Sequence, residues 1–84
     1  MQFNVLYLAR LREAFGCRQE TVEIASGGTV ADVIAALRGR GGIWATELAA
    51  GRAVRVAVNH EMSPLTAAIH EGDEIALFPP VTGG

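Results

Sequence analysis

The chain has 84 residues, of which 50% are hydrophobic, and a formal charge of −2 at pH 7. This length allows one domain with its own core. All seven basic residues are arginines and they form no basic stripe, so we expect no nucleic-acid partner. The start, MQFNVLYLAR, predicts neither a signal peptide nor a membrane span, and hence a cytoplasmic protein with no membrane partner.

The first half of the chain predicts two strands and a helix. Residues 2–9 form a strand with Phe3, Val5 and Tyr7 on one face and Leu6 and Leu8 on the other. LREAFG is a helical turn that ends at Gly16, and ETVEI at residues 20–24 is a second strand, antiparallel to the first. A helix follows the SGG loop: Thr29 is its N-cap, and its apolar stripe consists of Val30, Val33, Ile34 and Leu37.

The second half predicts a short helix and three strands. IWATELAAG is the helix, with Trp44 and Leu48 one turn apart at the edge of the core. VRVAVN at 54–59 is a strand, His60 and Glu61 form a turn, and Pro64 restricts residues 62–67 to an irregular edge. EIALF at 74–78 is the last strand, with Ile75 and Leu77 inward. The order predicts an α+β fold, with the first and last strands parallel neighbours in a mixed sheet.

An apolar patch is expected on the outer face of this sheet. Its predicted members are Leu6, Leu8, Met62, Ala76 and Phe78. Such a patch marks a partner site if the face is open. Helices on both faces would cover it, and periodicity alone leaves that alternative standing.

Four motifs carry a resemblance to a known family. They are FPPVTGG at the C-terminus, GDE before the last strand, VAVN before a turn, and an Arg-x-x-Glu at Arg10 to Glu13. From Val5 to Gly84 the chain resembles the small, sulfur-carrying subunits of molybdopterin synthase, within the ubiquitin-like β-grasp family. The resemblance implies a β-grasp domain over residues 1–78 and an extended tail over residues 79–84.

The same resemblance implies a mechanism. A partner adenylating enzyme uses ATP to convert the carboxylate of Gly84 into an acyl-adenylate, and sulfur delivery then gives a thiocarboxylate. The tail, formed by Pro79, Pro80, Val81, Thr82, Gly83 and Gly84, enters the large synthase subunit. There the sulfur passes to a pterin precursor to build the dithiolene of molybdopterin. Leu8, Met62 and Phe78 would contact the large subunit in an assembly of two copies of each chain, and the catalytic residues would lie on that subunit.

The residue types of the tail suit this use. Pro79 and Pro80 have a fixed φ and direct the chain out of the last strand. Gly83 and Gly84 have no Cβ and fit a narrow channel. No bound cofactor and no metal are expected on this chain.

Three other functions share part of this pattern. A ubiquitin-like modifier would use Gly84 to modify lysines of other proteins, and a carrier for another pathway, such as thiamine synthesis, would share the diglycine. An adaptor would use only the sheet patch, without Gly84.

Other chemically active side chains are expected to be incidental. Cys17 is a lone cysteine, so it forms no internal disulfide. His60 and His70 are too few for a metal site. The acids Glu71, Asp73 and Glu74 are expected to form a solvated turn, and the glycines match no phosphate-binding loop.

Overall fold

A computed structural model describes residues 1–24, 28–49 and 51–80 of the chain. These residues form five strands and three helices in the following order: β1 (Gln2–Tyr7), α1 (Arg10–Phe15), β2 (Gln19–Glu23), α2 (Val30–Arg38), α3 (Gly42–Glu47), β3 (Arg55–Val58), β4 (Glu61–Ser63) and β5 (Glu74–Phe78). The predicted α+β order is therefore confirmed. Of the predicted SGG loop, Ser26 and Gly27 lie outside the described residues.

One mixed sheet runs through the domain in the order β2-β1-β5-β3-β4. β1 pairs with β5 in parallel and with β2 antiparallel, as predicted. β3 is antiparallel to both β5 and β4. The first and last strands thus lie side by side in the interior of the sheet, and the chain leaves the sheet from an interior strand.

The core lies between one face of the sheet and α2. The apolar stripe of α2, formed by Val30, Val33, Ile34 and Leu37, is fully buried. Strand residues of alternate positions complete the core: Phe3, Val5, Tyr7, Val22, Val56, Ile75 and Leu77. The inward residues predicted for β1 and β5, which are Phe3, Val5, Tyr7, Ile75 and Leu77, are confirmed.

A capping box determines where α2 begins. Thr29 and Asp32 form a capping box: the Asp32 carboxylate accepts hydrogen bonds from the backbone N–H of Thr29 at 3.0 Å and of Gly28 at 2.9 Å. These bonds lower the pKa of Asp32. The aspartate therefore serves in a position where glutamate or glutamine is preferred.

The hairpin between β3 and β4 turns one residue earlier than predicted. Val58 pairs with Glu61, so the two-residue turn is Asn59–His60 and not His60–Glu61. Both turn residues have positive φ, 50° and 72°, which defines a primed turn whose twist matches the sheet. Asparagine tolerates this conformation well, and this favours Asn59 at the first position.

Candidate functional site

A row of apolar side chains crosses the open face of the sheet. Strand register places Leu6 beside Ala76, Ala76 beside Ala57, and Ala57 beside Met62. Directly paired residues project on the same side of a sheet, so the row spans four strands. None of these side chains belongs to the buried core, whereas their neighbours along β1 and β5 do. In the described part of the chain the helices therefore cover one face only.

The row continues toward the end of the sheet from which the chain leaves. Leu8 donates its backbone N–H to the carbonyl of Leu77 at 3.0 Å, which places it next to Phe78. Leu8 is 40% exposed and Met62 is 59% exposed, while Phe78 is half-buried. We call this set the open-face patch: Leu6, Leu8, Ala57, Met62, Ala76 and Phe78.

A rigid hairpin holds Met62 in this patch. The side-chain carbonyl of Asn59 accepts the N–H of Glu74 at 3.0 Å, and its amide donates to Asp73 at 3.0 Å. This second bond, with the N–H of His70, lowers the pKa of Asp73. The turn of the β3–β4 hairpin is therefore tied to the start of β5 by side-chain hydrogen bonds.

Two arginines and an open groove border the patch. Arg12 and Arg18 line a small cleft of about 230 Å³ with Leu6 and Leu8. At the other side, an open groove of about 670 Å³ runs past Met62 and Leu65 to Pro80. The patch is thus flanked by a cleft beside β1 and by a groove that reaches Pro80.

The chain leaves β5 through Pro79 and Pro80, which are both half-buried. They line a cleft of about 370 Å³ that we call the exit cleft; its other lining residues are Arg10, Leu11, Glu47, Arg52, Ala53 and Val54. Glu47 is only 8% exposed, and its carboxylate lies 3.0 Å from Arg10 and 3.5 Å from Arg52. Val81, Thr82, Gly83 and Gly84 lie outside the described residues.

A second polar cluster closes the covered face at the end of β1. The hydroxyl of Tyr7 donates to Glu20 at 2.6 Å, and Arg40 binds the same carboxylate through two hydrogen bonds of 2.8 and 2.9 Å. The hydrogen bonds from Arg40 lower the pKa of Glu20. Burial, reinforced by the bond to Glu20, raises the pKa of Tyr7, so this phenol stays neutral at physiological pH.

Aromatic stacking extends this cluster. Trp44 stacks on Phe15 at 3.8 Å between ring centroids, and the guanidinium of Arg40 lies 4.5 Å over the Trp44 ring. The prediction that Trp44 covers the edge of the core is confirmed. The cluster packs α1 and α3 against the end of β1.

The other candidates form no reactive site in the described residues. Cys17 packs against the core and its thiol lies 3.3 Å from the carbonyl of Gln19. The side chains of His60 and His70 are 84% and 80% exposed. Across residues 1–24, 28–49 and 51–80, no group of three metal-binding side chains is present, and no helix is long and apolar enough to cross a membrane.

The acidic turn is more ordered than the sequence suggested. Glu71 accepts the N–H of Gln2 through both carboxylate oxygens, at 3.1 and 3.2 Å, and Asp73 caps the turn as described above. Glu71 and Asp73 therefore bind backbone N–H groups and are not simply solvated.

Sequence reasoning missed two features of the site. Ala57 belongs to the patch, and alternation along VRVAVN was the signal, since Val56 and Val58 point inward. The contacts of Glu47 with Arg10 and Arg52 join residues far apart in sequence, and no local pattern indicates them.

The sheet order, the single long helix on one face and the exit of the chain from an interior strand define a β-grasp domain of the ubiquitin-like type. The chain belongs to the ThiS family, whose model matches residues 5–84. It is 39% identical to the molybdopterin synthase sulfur carrier subunit of Haemophilus influenzae, over 96% of this chain and 98% of that protein.

Solved structures agree with this assignment. The crystal structure of SAMP1 from Haloferax volcanii has a TM-score of 0.78 at 30% identity and covers both chains completely. A chain of the Amycolatopsis orientalis BexX/CysO complex has a TM-score of 0.65 at 30% identity, over 98% of this chain and 99% of that one. The β-grasp fold expected from the sequence is confirmed.

Proposed function

We propose that this chain is the sulfur carrier subunit of a molybdopterin synthase. The observation that carries the proposal is the end-to-end similarity to a sulfur carrier subunit, 39% identical over 96% of the chain. The C-terminal FPPVTGG is the motif through which the carrier acts. The name of this relative favours the sulfur carrier of molybdopterin synthase over the modifier, the carrier of another pathway and the simple adaptor.

The reactive group of the carrier is the carboxylate of Gly84. An α-carboxyl has a pKa of about 3.3–3.7, so it is ionised at neutral pH and a poor electrophile. Attack of this carboxylate on the α-phosphate of ATP releases pyrophosphate and gives an acyl-adenylate with a good leaving group. A persulfide of the sulfur donor then displaces AMP to give an acyl disulfide. Attack of a thiol on the outer sulfur of that disulfide forms a new disulfide on the donor and releases the thiocarboxylate, which is the sulfur donor for the pterin precursor.

The base of the tail suits delivery into another protein. Pro79 and Pro80 are half-buried against the exit cleft, and their φ angles are fixed by their rings. Less conformational entropy is therefore lost when the tail is inserted. Six extended residues, Pro79 to Gly84, reach at most roughly 20 Å, enough to cross an active-site cleft.

The open-face patch is the docking surface for the partners. Leu8, Met62 and Phe78 expose apolar area next to the exit of the tail, and burial of such area stabilises a complex by about 25 cal/mol per Å² before the costs of association. The large synthase subunit is the partner during sulfur transfer, and an adenylating enzyme is the partner during activation. The similarity to a chain solved within a two-protein complex supports assembly with a partner.

On this proposal the chain carries sulfur and leaves catalysis to its partners. It binds no cofactor of its own, and ATP is bound by the adenylating enzyme. The buried Tyr7 phenol and the exposed His60 and His70 lie outside the exit cleft and take no part. A cytoplasmic location remains a prediction.

Intact-mass analysis tests the proposal directly. The chain is incubated with an adenylating enzyme of such a pathway, ATP and a sulfur donor, and the mass must change by replacement of one oxygen with sulfur. The matched control lacks Gly84 and must show no change. Sulfur transfer to the pterin precursor by this shortened control would overturn the proposal.

A search for lysine adducts separates the carrier from the modifier. Isopeptide-linked conjugates of Gly84 in cells, together with a pterin precursor that has received no sulfur, would favour the modifier. Growth rescue of a strain deficient in molybdenum cofactor separates this carrier from one that serves thiamine synthesis.

A further inference from the structure

An ion cluster built on one buried carboxylate lies at the point where the tail leaves the domain. Glu47 is the last residue of α3 and is 8% exposed. Removal of a carboxylate from water costs several kcal/mol unless cations and hydrogen bonds compensate it. The negative end of the α3 dipole adds to that cost. Arg10 and Arg52 provide the compensation, from the start of α1 and from the loop before β3.

The two arginines have more hydrogen-bond donors than Glu47 accepts. Each guanidinium carries five N–H donors. Among the described residues, each donates one hydrogen bond to this carboxylate, through its Nη2 atom. Their side chains are 60% and 41% exposed, so both side chains are accessible to a ligand from solvent. Two guanidinium groups and one carboxylate leave a formal surplus of one positive charge beside Pro79 and Pro80.

We propose that Arg10 and Arg52 form an anion-recognition pair that binds an acidic side chain at the entrance of the channel into which the adenylating enzyme draws the tail. The inference rests on the proposed function, because only a tail that enters a partner brings this surface to a channel entrance. One carboxylate of the partner neutralises the cluster. Glu47 is a positioning residue: its carboxylate holds the two guanidinium groups in the lining of the exit cleft.

The position of the pair decides between two possible anions. The phosphate of the acyl-adenylate is bonded to Gly84, four residues beyond Pro80. Four extended residues span about 13–14 Å. The pair sits at the base of the tail, so in an extended tail the phosphate lies well beyond hydrogen-bond distance of Arg10 and Arg52. A carboxylate at the entrance of the channel lies beside the base of the tail and matches the bidentate geometry of guanidinium.

Steady-state kinetics of pyrophosphate release test the pair. The variant is the triple substitution Arg10→Gln, Glu47→Gln and Arg52→Gln, which removes both cations without leaving the buried carboxylate unpaired. We expect KM for the chain to rise about tenfold at low salt while kcat stays within about twofold, since the pair acts on encounter and binding. The difference must shrink with added salt, because the screening length falls from about 10 Å at 0.1 M to about 3 Å at 1 M.

Two controls isolate the charge at the exit. Glu47→Gln alone has the same loss of the buried carboxylate but keeps both arginines, so its KM must stay below that of the triple variant. Arg40→Gln removes an arginine that also pairs with a partly buried glutamate but does not line the exit cleft, and its KM must be unchanged. If the triple variant does not fold, Arg10→Gln and Arg52→Gln are measured singly, since Glu47 then keeps one guanidinium.

The outcomes are distinct for the two proposals. Wild-type KM and wild-type salt dependence in the triple variant would overturn the recognition pair and leave the cluster a structural clamp, with the carrier function intact. Loss of kcat with unchanged KM would also overturn it. Absence of pyrophosphate release with the wild-type chain would instead contradict the proposed function.

Discussion

The two faces of one sheet contain similar residues that serve different purposes. Leu77 on the covered face is fully buried, whereas Leu8, which continues the neighbouring strand, is 40% exposed on the open face. The covered face packs on α2 and stabilises the domain. The open face keeps its apolar area free next to the exit of the tail. Alternation along neighbouring strands thus places the residues that stabilise the domain on one face and the residues available for binding on the other. Stability and binding can therefore be perturbed by separate substitutions.

The largest expected effect is the difference in the free energy of unfolding when the same substitution is made on each face. Leu77→Ala removes a fully buried side chain and should lower the free energy of unfolding by about 2–5 kcal/mol, through lost transfer energy and a residual cavity. Leu8→Ala removes the same atoms from an exposed site and should cost less than about 1 kcal/mol. Urea denaturation of both variants measures the difference.

Equal losses in the two variants would contradict the assignment of the faces. That result would mean that Leu8 is covered in the free chain. A Leu77→Ala variant that binds its partner normally whenever it is folded would support the division between stability and binding.

Charge on the open face should give the next largest effect, on affinity and not on folding. Met62→Asp places a carboxylate at a side chain that is 59% exposed, so the free energy of unfolding should change by less than about 0.5 kcal/mol. Affinity for the large synthase subunit should fall by about 2–4 kcal/mol if Met62 lies in the centre of the interface. Calorimetric titration measures the affinity.

Glu61→Asp is a matched control for this variant. It lies next to Met62 in β4, is exposed, and keeps its charge. Unchanged affinity in Met62→Asp, with a normal melting curve, would remove Met62 from the docking surface.

The division between faces was predictable because it depends on local order. A strand alternates with a period of two, so Phe3, Val5 and Tyr7 had to share the face opposite Leu6 and Leu8 once residues 2–9 were recognised as a strand. The stripe of α2 follows from its helical period in the same way. The tail motif FPPVTGG likewise stands in consecutive residues, although its last four lie outside the described part of the chain.

The ion clusters were not predictable because they depend on tertiary geometry. Glu20 and Arg40 are 20 residues apart, and Arg10 and Glu47 are 37 apart. Charged residues at such separations show no period that distinguishes a pair from two solvated side chains. The turn at Asn59–His60 was missed for a related reason: the pairing of β3 with β4 sets its register, and histidine is an unusual residue for the second position.

A substitution in the polar cluster of the covered face tests how much of the stability of that face depends on hydrogen bonds. Glu20→Gln weakens the bonds to Tyr7 and Arg40 and should lower the free energy of unfolding by about 1–3 kcal/mol, the usual range for hydrogen bonds to a charged group. Glu23→Gln is the control, since Glu23 lies on the same strand but is exposed. Equal stability of the two variants in urea would show that the cluster adds nothing to packing.

Acid should produce the smallest effect, and one confined to a defined range of pH. The pKa values of Glu20, Asp32 and Asp73 are lowered in the folded chain, from 4.5 for the glutamate and 3.8 for the aspartates. A carboxyl with a lowered folded pKa stabilises the fold fully above its unfolded pKa and loses that contribution as pH falls through the folded value. The urea midpoint should therefore be constant near neutral pH and should fall progressively below about pH 4.5.

The variants locate that acid effect on the molecule. Glu20→Gln carries no carboxyl at this site, so part of its loss of stability is already present at neutral pH and its midpoint should fall less steeply with acid than that of the wild type. Asn59→Ala removes the first cause of the lowered pKa of Asp73 and should flatten the profile near pH 3.8. If both variants follow the wild-type profile in parallel, the acid sensitivity arises elsewhere. The polar groups that close the covered face would then contribute geometry but no pH-dependent stability.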